Sequence, residues 1–379
     1  MAVDIQRIPS PAFVLEEPLL RRNLELIRRV QEEAGVSIIL AFKGFAMWSA
    51  FPIVREYLPG ATASSLNEAR LCYEEMGVRA HSYSPAYLPE EFEQMLQLSS
   101  HLTFNSLSQF RRFEEQVKAY AGRVSCGLRV NPEYSVVETA LYNPCAPGSR
   151  LGELAENLPR ALPKAIEGLH FHTLCESSSK DLGDTLKAFE ERFAHWLPQM
   201  KWVNMGGGHL MTRKGYDVEH LIALLQDFRQ RHQLQVILES GSAIAWETGF
   251  LLATILDIVE NKNIRTAIVD VSFTAHMPDT LEMPYRPAIR GARDNQEGPH
   301  RYRIGGMSCL AGDFMYEYSF DQELAVGDRL IFEDMIHYTM VKTTMFNGVK
   351  HPAIAIWTQE DQLKVVREFG YEDFKGRLS

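Results

Sequence analysis

Short apolar runs alternate with longer amphipathic stretches over the first two thirds of the chain. The apolar runs predict buried strands, which are Ser37–Phe42, Ala61–Ala63, Ala80–Tyr83, Leu102–Phe104, Ser125–Val130, Gly168–His172, Trp202–Met205 and Gln235–Leu238. The amphipathic stretches have nearly helical spacing and predict helices at Leu19–Gln31, Leu66–Met76, Leu107–Tyr120, Leu182–Leu197 and Val218–His232. Such alternation is typical of a parallel sheet. Eight units in about 230 residues fit a closed (β/α)8 barrel, and an open doubly wound sheet is the alternative.

The pattern changes after about residue 247, where helical spacing becomes scarce. Segments rich in β-forming residues predict further strands, at Ile264–Phe273, Tyr302–Ser308, Arg329–Phe332, Tyr338–Thr344, Ala353–Thr358 and Leu363–Glu368. They indicate a separate, mostly antiparallel β domain, with which Pro11–Leu15 is a candidate to pair. We therefore predict a barrel over residues 16–246 and a β domain formed by residues 1–15 and 247–379.

Composition and charge narrow the class of protein. Hydrophobic residues make up 45% of the 379 residues, and the formal net charge is −10. An acidic chain without a basic cluster is a poor candidate for nucleic-acid binding. Five cysteines without a Cys-x-x-Cys pair argue against a disulfide framework or a metal site and favour a cytoplasmic location. No apolar run approaches the ~18 residues of a membrane span, and we expect no membrane association.

Candidate chemical residues follow several different predicted strands. Active sites of such barrels lie at the C-terminal ends of the strands. The polar and glycine residues predicted at this edge are Lys43, Arg129, His172, Gly206, Gly207, Gly208, Glu239 and Gly241. Their recurrence after separate strands indicates one shared site.

Each of these residues has a chemical and a structural interpretation. An apolar environment would lower the pKa of Lys43 and allow a Schiff base, or Lys43 is a surface lysine. The glycines Gly206–Gly208 offer backbone N–H groups to a phosphate, or form a flexible turn. Glu239 needs a partner, either the protonated ring nitrogen of pyridoxal phosphate or Arg129. His172 either stacks on a cofactor ring or is a core histidine.

With these residues placed, the sequence resembles the fold-type III pyridoxal-phosphate decarboxylases, the group of ornithine, arginine and diaminopimelate decarboxylases with an alanine-racemase-like barrel. The motifs that carry the resemblance are Ala41–Lys43, Gly168–His172, Asn204–His209, Glu239–Gly241, Met307–Asp313 and Phe332–Thr339. Two further segments, Tyr142–Cys145 and Asp270–Asp279, look particular to the branch that acts on carboxynorspermidine and carboxyspermidine in polyamine biosynthesis.

The resemblance implies roles for individual residues. Lys43 would hold pyridoxal 5'-phosphate, with His172 against its ring and Glu239 on its ring nitrogen. Arg129 would lie near the cofactor and help to hold Glu239. The phosphate would be bound by the three glycines, Gly241 and Tyr338. Cys309 would protonate the substrate carbon after carbon dioxide leaves, reaching the site from the second subunit of a homodimer with shared active sites.

The substrate tail would be held by His276, Asp279, Glu282 and Asp313. Diaminopimelate decarboxylase remains an alternative, because Arg286 could bind a distal carboxylate, and so does arginine decarboxylase. A racemase is disfavoured by Cys309, and a non-catalytic pyridoxal-phosphate carrier by the additional β domain.

The sequence departs from the wider family at two positions. Ser242 replaces an arginine that helps to bind phosphate, and Thr62 stands where an aspartate is expected. Neither change removes the lysine, so the predicted reaction class stands.

Overall fold

The computed structural model describes residues 3–293 and 298–379. The chain divides into two compact units, one of Asn23–Ile244 and one of Met1–Arg22 with Ala245–Ser379. The first unit contains the closed barrel, and the second contains a separate sheet. The predicted fold class, a (β/α)8 barrel with a C-terminal β domain, is confirmed.

The barrel strands lie close to where the apolar runs predict them. Strand β1 (Ala12–Glu16) precedes the barrel and belongs to the other sheet. The barrel strands are β2 (Ser37–Ala41), β3 (Ala61–Ala63), β4 (Ala80–Tyr83), β5 (Ser99–Phe104), β6 (Ser125–Arg129), β7 (Ile166–His170), β8 (Trp202–Asn204) and β9 (Gln235–Ser240). Every neighbouring pair is parallel, and pairing of β9 with β2 closes the ring. Several boundaries differ from the prediction by one to three residues. The end of β7 matters for the site, because the strand ends at His170 and His172 lies in the following loop.

The helices of this part of the chain are α1 (Glu17–Ala34), α2 (Phe51–Val54), α3 (Leu66–Leu71), α4 (Phe92–Leu98), α5 (Leu107–Ala119), α6 (Ser179–Phe193), α7 (Val218–His232) and α8 (Ser242–Ala245). The helix predicted over Leu66–Met76 is α-helical only to Leu71. It continues as a π-helical turn, Cys72–Met76, and ends at Gly77 in the left-handed conformation. The N-cap of α6 is a Ser178–Asp181 capping box, which satisfies the first free N–H groups of the helix.

Trp202 fills the barrel interior where two strands lack side chains. A Cβ atom added at Gly168 would lie 2.1 Å from the indole, and one at Gly127 would lie 2.2 Å from it. The indole N–H donates to Ser125 at 2.8 Å, so the ring is fixed by a hydrogen bond as well as by packing. Glycine on β6 and β7 is therefore required by the volume of one tryptophan on β8.

Gly168→Ala should destabilise the protein, because the new methyl group overlaps Trp202. Overpacking of this kind costs about 1–3 kcal/mol, which corresponds to a melting temperature lower by ~2–4 °C per kcal/mol. The matched control is Gly183→Ala on α6, where the added Cβ would contact Leu224 at an ordinary 3.6 Å. That change should be neutral or stabilising by up to about 1 kcal/mol. Equal melting temperatures for the two variants would contradict the packing argument.

The second unit is built on one extended sheet. Its remaining strands are β10 (Gly249–Asn261), β11 (Ile264–Val269), β12 (Ala292–Arg293), β13 (His300–Gly305), β14 (Phe314–Phe320), β15 (Arg329–Glu333), β16 (Ala353–Trp357) and β17 (Leu363–Arg367). The strand order is β12-β14-β13-β11-β10-β1-β16-β17, and β15 pairs with β10. The predicted pairing of the N-terminal segment is confirmed, because β1 runs antiparallel to β10 and parallel to β16. Short helices α9 (Phe273–His276), α10 (Asp279–Glu282) and α11 (Tyr371–Lys375) complete the unit.

Several strands of this unit differ from the sequence prediction. The strand expected at Tyr338–Thr344 is a series of turns, in which the N–H of Lys342 donates to the Tyr338 carbonyl at 3.0 Å and Tyr338 has φ +47°. Strands β10, β12 and β14 were not predicted. The first half of β10 is continuously buried, so it lacks the alternation that signals a strand.

None of the described helices combines the length and apolar character needed to cross a bilayer.

Candidate active site

The predicted barrel residues converge at the C-terminal end of the barrel. Lys43 follows β2, Arg129 ends β6, and His172 lies two residues beyond β7. Gly206–Gly208 follow β8, and Glu239 is the second-last residue of β9, with Gly241 directly after the strand. The parallel arrangement brings all these positions to one edge, as the sequence predicted for the site.

A chain of contacts joins Lys43 to the glycine turn. The Lys43 Nζ atom lies 3.2 Å from His172 Nε2, and the Gly207 N–H donates to His172 Nδ1 at 3.0 Å. Because Nδ1 accepts a hydrogen bond, a neutral His172 carries its proton on Nε2 and can donate it to a neutral amine. Burial and the charges of Lys43 and Arg129 lower the pKa of His172.

Desolvation also lowers the pKa of Lys43, although the side chain as a whole is exposed. The negative charge of Glu239 raises the pKa of Lys43, and the positive charge of Arg129 lowers it. A lowered pKa increases the fraction of neutral amine, which is the nucleophilic form needed to bond to an aldehyde.

Glu239 is buried, and two side chains hold its carboxylate. Asn204 Nδ2 donates to Oε1 at 2.7 Å, and Thr62 forms a second side-chain hydrogen bond. Desolvation raises the pKa of Glu239, while Lys43, Asn204, Arg129 and Thr62 each lower it.

The expected ion pair of Arg129 with Glu239 is not formed among the residues that the structure describes. The Arg129 guanidinium instead donates to the His172 carbonyl at 3.3 Å and lies 4.7 Å from the centre of the Tyr83 ring. Arg129 therefore acts on Glu239 through space, and the direct donors are the two neutral side chains.

The glycine positions of this site are packed too closely to accept a side chain. A Cβ atom at Gly207 would lie 2.3 Å from the Glu239 carbonyl, and Gly206 and Gly208 have φ of +66° and +93°. Gly44 and Gly241 also approach closely, with a Cβ at Gly44 placed 2.7 Å from the Gly241 Cα. The N–H groups of Gly206 and Gly207 already donate to Asn204 and His172, so the turn suits an anion such as phosphate because a backbone without side chains can approach it closely.

Several buried polar atoms of this site have no hydrogen-bond partner among the described residues. They include both ring nitrogens of His170 and the hydroxyl of Ser240. Burial lowers the pKa of His170, so its ring is neutral and one nitrogen carries an unused donor. Unpaired buried polar groups beside an amine, a carboxylate and a glycine turn fit a polar cofactor that bears a phosphate and a ring nitrogen.

Sequence reasoning missed three contributors to this site. Asn204 and Thr62 hold Glu239, and the buried His170 lies at the end of β7. Asn204 lies two residues before Gly206, and this closeness to the glycine motif is a signal that could have identified it. The contact of Thr62 with Glu239 depends on barrel closure and has no local signal.

The second unit holds the remaining predicted site residues. Cys309 is an exposed free thiol whose backbone N–H donates to Asn347 Oδ1 at 2.8 Å. Asp313 is buried, and its carboxylate accepts from the N–H groups of Phe273, Thr274 and Ser308 and from the Ser308 hydroxyl, at 2.6–3.1 Å. A carboxylate with four donors organises the loop that carries Cys309. The expected contact of Asp313 with a substrate stays a prediction.

Asp279 and Glu282 converge on one cation. Both carboxylates accept from the ammonium of Lys342, and the bond to Glu282 measures 2.6 Å. His276 is buried and neutral, because burial lowers its pKa to about 3. Arg286 donates to the Glu317 carbonyl at 2.6 Å and lies over the Tyr318 ring. The structure therefore groups Asp279 with Glu282, whereas Arg286 is engaged by the β-sheet.

Comparisons with known proteins agree with this geometry. The family model for pyridoxal-dependent decarboxylases (C-terminal sheet domain) matches residues 45–336. The carboxyaminopropylagmatine decarboxylase of Synechocystis sp. is 55% identical over 99% of this chain and 96% of its own length. The carboxynorspermidine/carboxyspermidine decarboxylase of Campylobacter jejuni is 46% identical over 98% of this chain and 99% of its own length.

Solved structures give the same result. The crystal structure of carboxynorspermidine decarboxylase from Campylobacter jejuni, complexed with norspermidine, superposes with a TM-score of 0.90. It is 45% identical and covers 98% of this chain and 100% of its own. Diaminopimelate decarboxylase from Helicobacter pylori, at 18% identity, has a TM-score of 0.78 over 98% of both chains and shares the fold. The protein belongs to the family of pyridoxal-dependent decarboxylases.

Proposed function

We propose that the protein decarboxylates a carboxylated polyamine, carboxynorspermidine or carboxyspermidine, with pyridoxal 5'-phosphate held at Lys43. The observation that carries the cofactor assignment is the cluster in which Lys43, His172 and Gly207 are joined by contacts of 3.0–3.2 Å. When bound, the cofactor supplies an electron sink for the carbon that loses carbon dioxide.

The proposed roles of the barrel residues follow from their chemistry. Lys43 attaches the cofactor covalently, and His172 lies against one face of its ring. Glu239 binds the ring nitrogen, and the Asn204 and Thr62 hydrogen bonds favour the ionised form of its carboxylate. The turn Gly206–Gly208 and Gly241 hold the phosphate, because their backbone can approach it closely without side chains, in place of the arginine that Ser242 replaces.

The acid that returns a proton to the substrate carbon is proposed to be Cys309, supplied by a second copy of the chain. Support comes from its surroundings, which expose apolar side chains on the same unit: Met307, Leu310, Tyr316 and Phe346 are 47%, 44%, 66% and 44% exposed. Apolar groups exposed in this number mark a surface for another protein. We propose a homodimer with shared active sites, to which Tyr338 adds a phosphate contact.

The free state of all five cysteines supports a cytoplasmic location.

The substrate tail is proposed to bind the carboxylates of Asp279 and Glu282. These two groups already bind one primary ammonium, that of Lys342, so their spacing suits the terminal ammonium of a polyamine. The Campylobacter jejuni relatives named for carboxynorspermidine and carboxyspermidine support this substrate class. His276 and Arg286 would line the tail site, and Asp313 would hold the loop around Cys309.

A second candidate substrate is carboxyaminopropylagmatine, because the Synechocystis relative of that name is 55% identical. Its tail ends in a planar guanidinium, which a pair of carboxylates can bind through parallel N–H bonds. Carboxyaminopropylagmatine shares its reacting end with carboxynorspermidine and carboxyspermidine and ends in a different cation.

Carbon dioxide release from a panel of acids tests the proposal. We expect kcat/KM for one of the three polyamine acids to exceed that for ornithine, arginine and diaminopimelate by at least about a hundredfold, since these amino acids lack the longer polyamine tail. Asp279→Asn should lower kcat/KM for the preferred polyamine acid by roughly tenfold to a hundredfold, through loss of a hydrogen bond to a charged group. Preference for ornithine, arginine or diaminopimelate would overturn the proposed substrate.

A further inference from the structure

A single amide group connects the two halves of the cofactor site. Asn204 ends β8 and is buried, with 3% of its surface exposed. Its Nδ2 donates to Glu239 Oε1 at 2.7 Å, and its Oδ1 accepts the Gly206 N–H at 2.9 Å. We propose that Asn204 is a positioning residue that fixes the Glu239 carboxylate relative to the glycine turn, so that the ring nitrogen and the phosphate of one cofactor are bound together. This inference rests on the proposed roles of Glu239 and the turn.

The partners at both ends dictate the orientation of the amide. Glu239 presents an acceptor and the backbone of Gly206 presents a donor, so only one of the two amide orientations satisfies both. The flipped amide would place its oxygen against the carboxylate and its NH2 group against an N–H. Asn204 is thus committed to a defined direction before any cofactor arrives.

A backbone hydrogen bond reinforces the same connection. The Glu239 N–H donates to the Gly206 carbonyl at 2.8 Å, so Glu239 and Gly206 are joined once directly and once through Asn204. Gly206 itself has little room to move, because a Cβ atom there would lie 2.6 Å from the Phe171 carbonyl. The spacing between carboxylate and turn is therefore set by a closed ring of hydrogen bonds, of which the Asn204 amide is the only side-chain member besides Glu239.

The donor from Asn204 also affects the charge of Glu239. A buried carboxylate loses hydration, which favours its protonated form, and a hydrogen bond from an amide offsets part of this cost. Thr62 supplies the second neutral donor. Without Asn204, Glu239 would be less readily ionised and less firmly oriented, and both effects weaken its bond to a protonated ring nitrogen.

The test is a double-mutant cycle on cofactor affinity, measured by absorbance titration of the apoprotein with pyridoxal phosphate. Asn204→Ala should weaken binding by about tenfold to a hundredfold, the value of a hydrogen bond to a charged group. On a Glu239→Gln background the same change should cost at least about threefold less, because the two residues act as one unit. With pyridoxal, which lacks the phosphate, the loss should also be smaller, because the Gly206 end no longer contributes.

Asn143→Ala is a matched control. Its amide makes the same two kinds of bond, accepting from the Cys145 N–H at 2.9 Å and donating to the Val137 carbonyl at 3.0 Å, but touches no proposed cofactor residue. It should leave cofactor affinity within about twofold of the native value. If Asn204→Ala fails to fold, Asn204→Ser, whose hydroxyl can serve one partner but not both, replaces it.

Two results would overturn the role of Asn204: native affinity in Asn204→Ala, or losses from Asn204→Ala and Glu239→Gln that simply multiply. Borohydride labelling separates this failure from failure of the proposed function. Native protein that binds pyridoxal phosphate without labelling at Lys43 would refute the proposed site. Labelling at Lys43 together with a multiplicative cycle would refute only the inference on Asn204.

Discussion

Lys43→Ala should abolish decarboxylation and the covalent attachment of pyridoxal phosphate. The lysine is the proposed bond to the cofactor, and its amine lies 3.2 Å from His172, in surroundings that lower its pKa. Removal of a covalent catalytic group lowers kcat by at least about ten-thousandfold. After treatment with borohydride, the native protein should carry the reduced cofactor on the peptide that contains Lys43, and the variant should carry none.

Lys214→Ala is the control for this experiment. Lys214 is exposed and lies in the loop after β8, on the same side of the barrel, so it reports on any unspecific labelling there. Its removal should leave labelling and kcat unchanged. Retention of a borohydride-reducible cofactor in Lys43→Ala would show that another amine holds it, and the proposed site would then be wrong.

Mixing two inactive variants should restore activity if the active sites are shared. Lys43→Ala removes the cofactor lysine from the barrel, and Cys309→Ala removes the proposed acid from the β domain. Random reassortment places half of the chains in mixed dimers, and each mixed dimer regains one intact site of two. The mixture should therefore recover up to about a quarter of the native activity.

The matched control mixes Lys43→Ala with Glu239→Gln. Both changes lie on the barrel, so every site in a mixed dimer is defective and the activity should not exceed that of the parent variants. Recovery confined to the first mixture would support shared sites. Absence of recovery in both mixtures, with subunit exchange proven by differently tagged chains, would place Cys309 in the site of its own chain or outside the chemistry.

The sequence by itself determined the architecture and the edge at which chemistry is found. Period-two and continuous apolar runs between amphipathic stretches encode burial on two faces, and that local signal identified all eight barrel strands to within a few residues. Because parallel strands end at a common edge, the order of residues along the chain sufficed to group Lys43, His172 and Glu239. A lysine after β2 and glycines after β8 carry this information without any knowledge of contacts.

Only the tertiary structure decided which side chains meet. Asn204 and Thr62 reach Glu239 because β3, β8 and β9 lie near one another in the closed ring, and closure depends on register between strands far apart in sequence. Arg129, an expected partner by charge, turns to the His172 carbonyl and the Tyr83 ring instead.

The same reason explains the errors in the β domain. Side chains on both faces of the first half of β10 are buried, so its own sequence shows no alternation. Asp313 resembles a free acidic residue in sequence, but the fold directs four donors to it. Local periodicity encodes which faces are buried, whereas the partners of polar groups are set by non-local packing, and only the assembled sheet and barrel supply them.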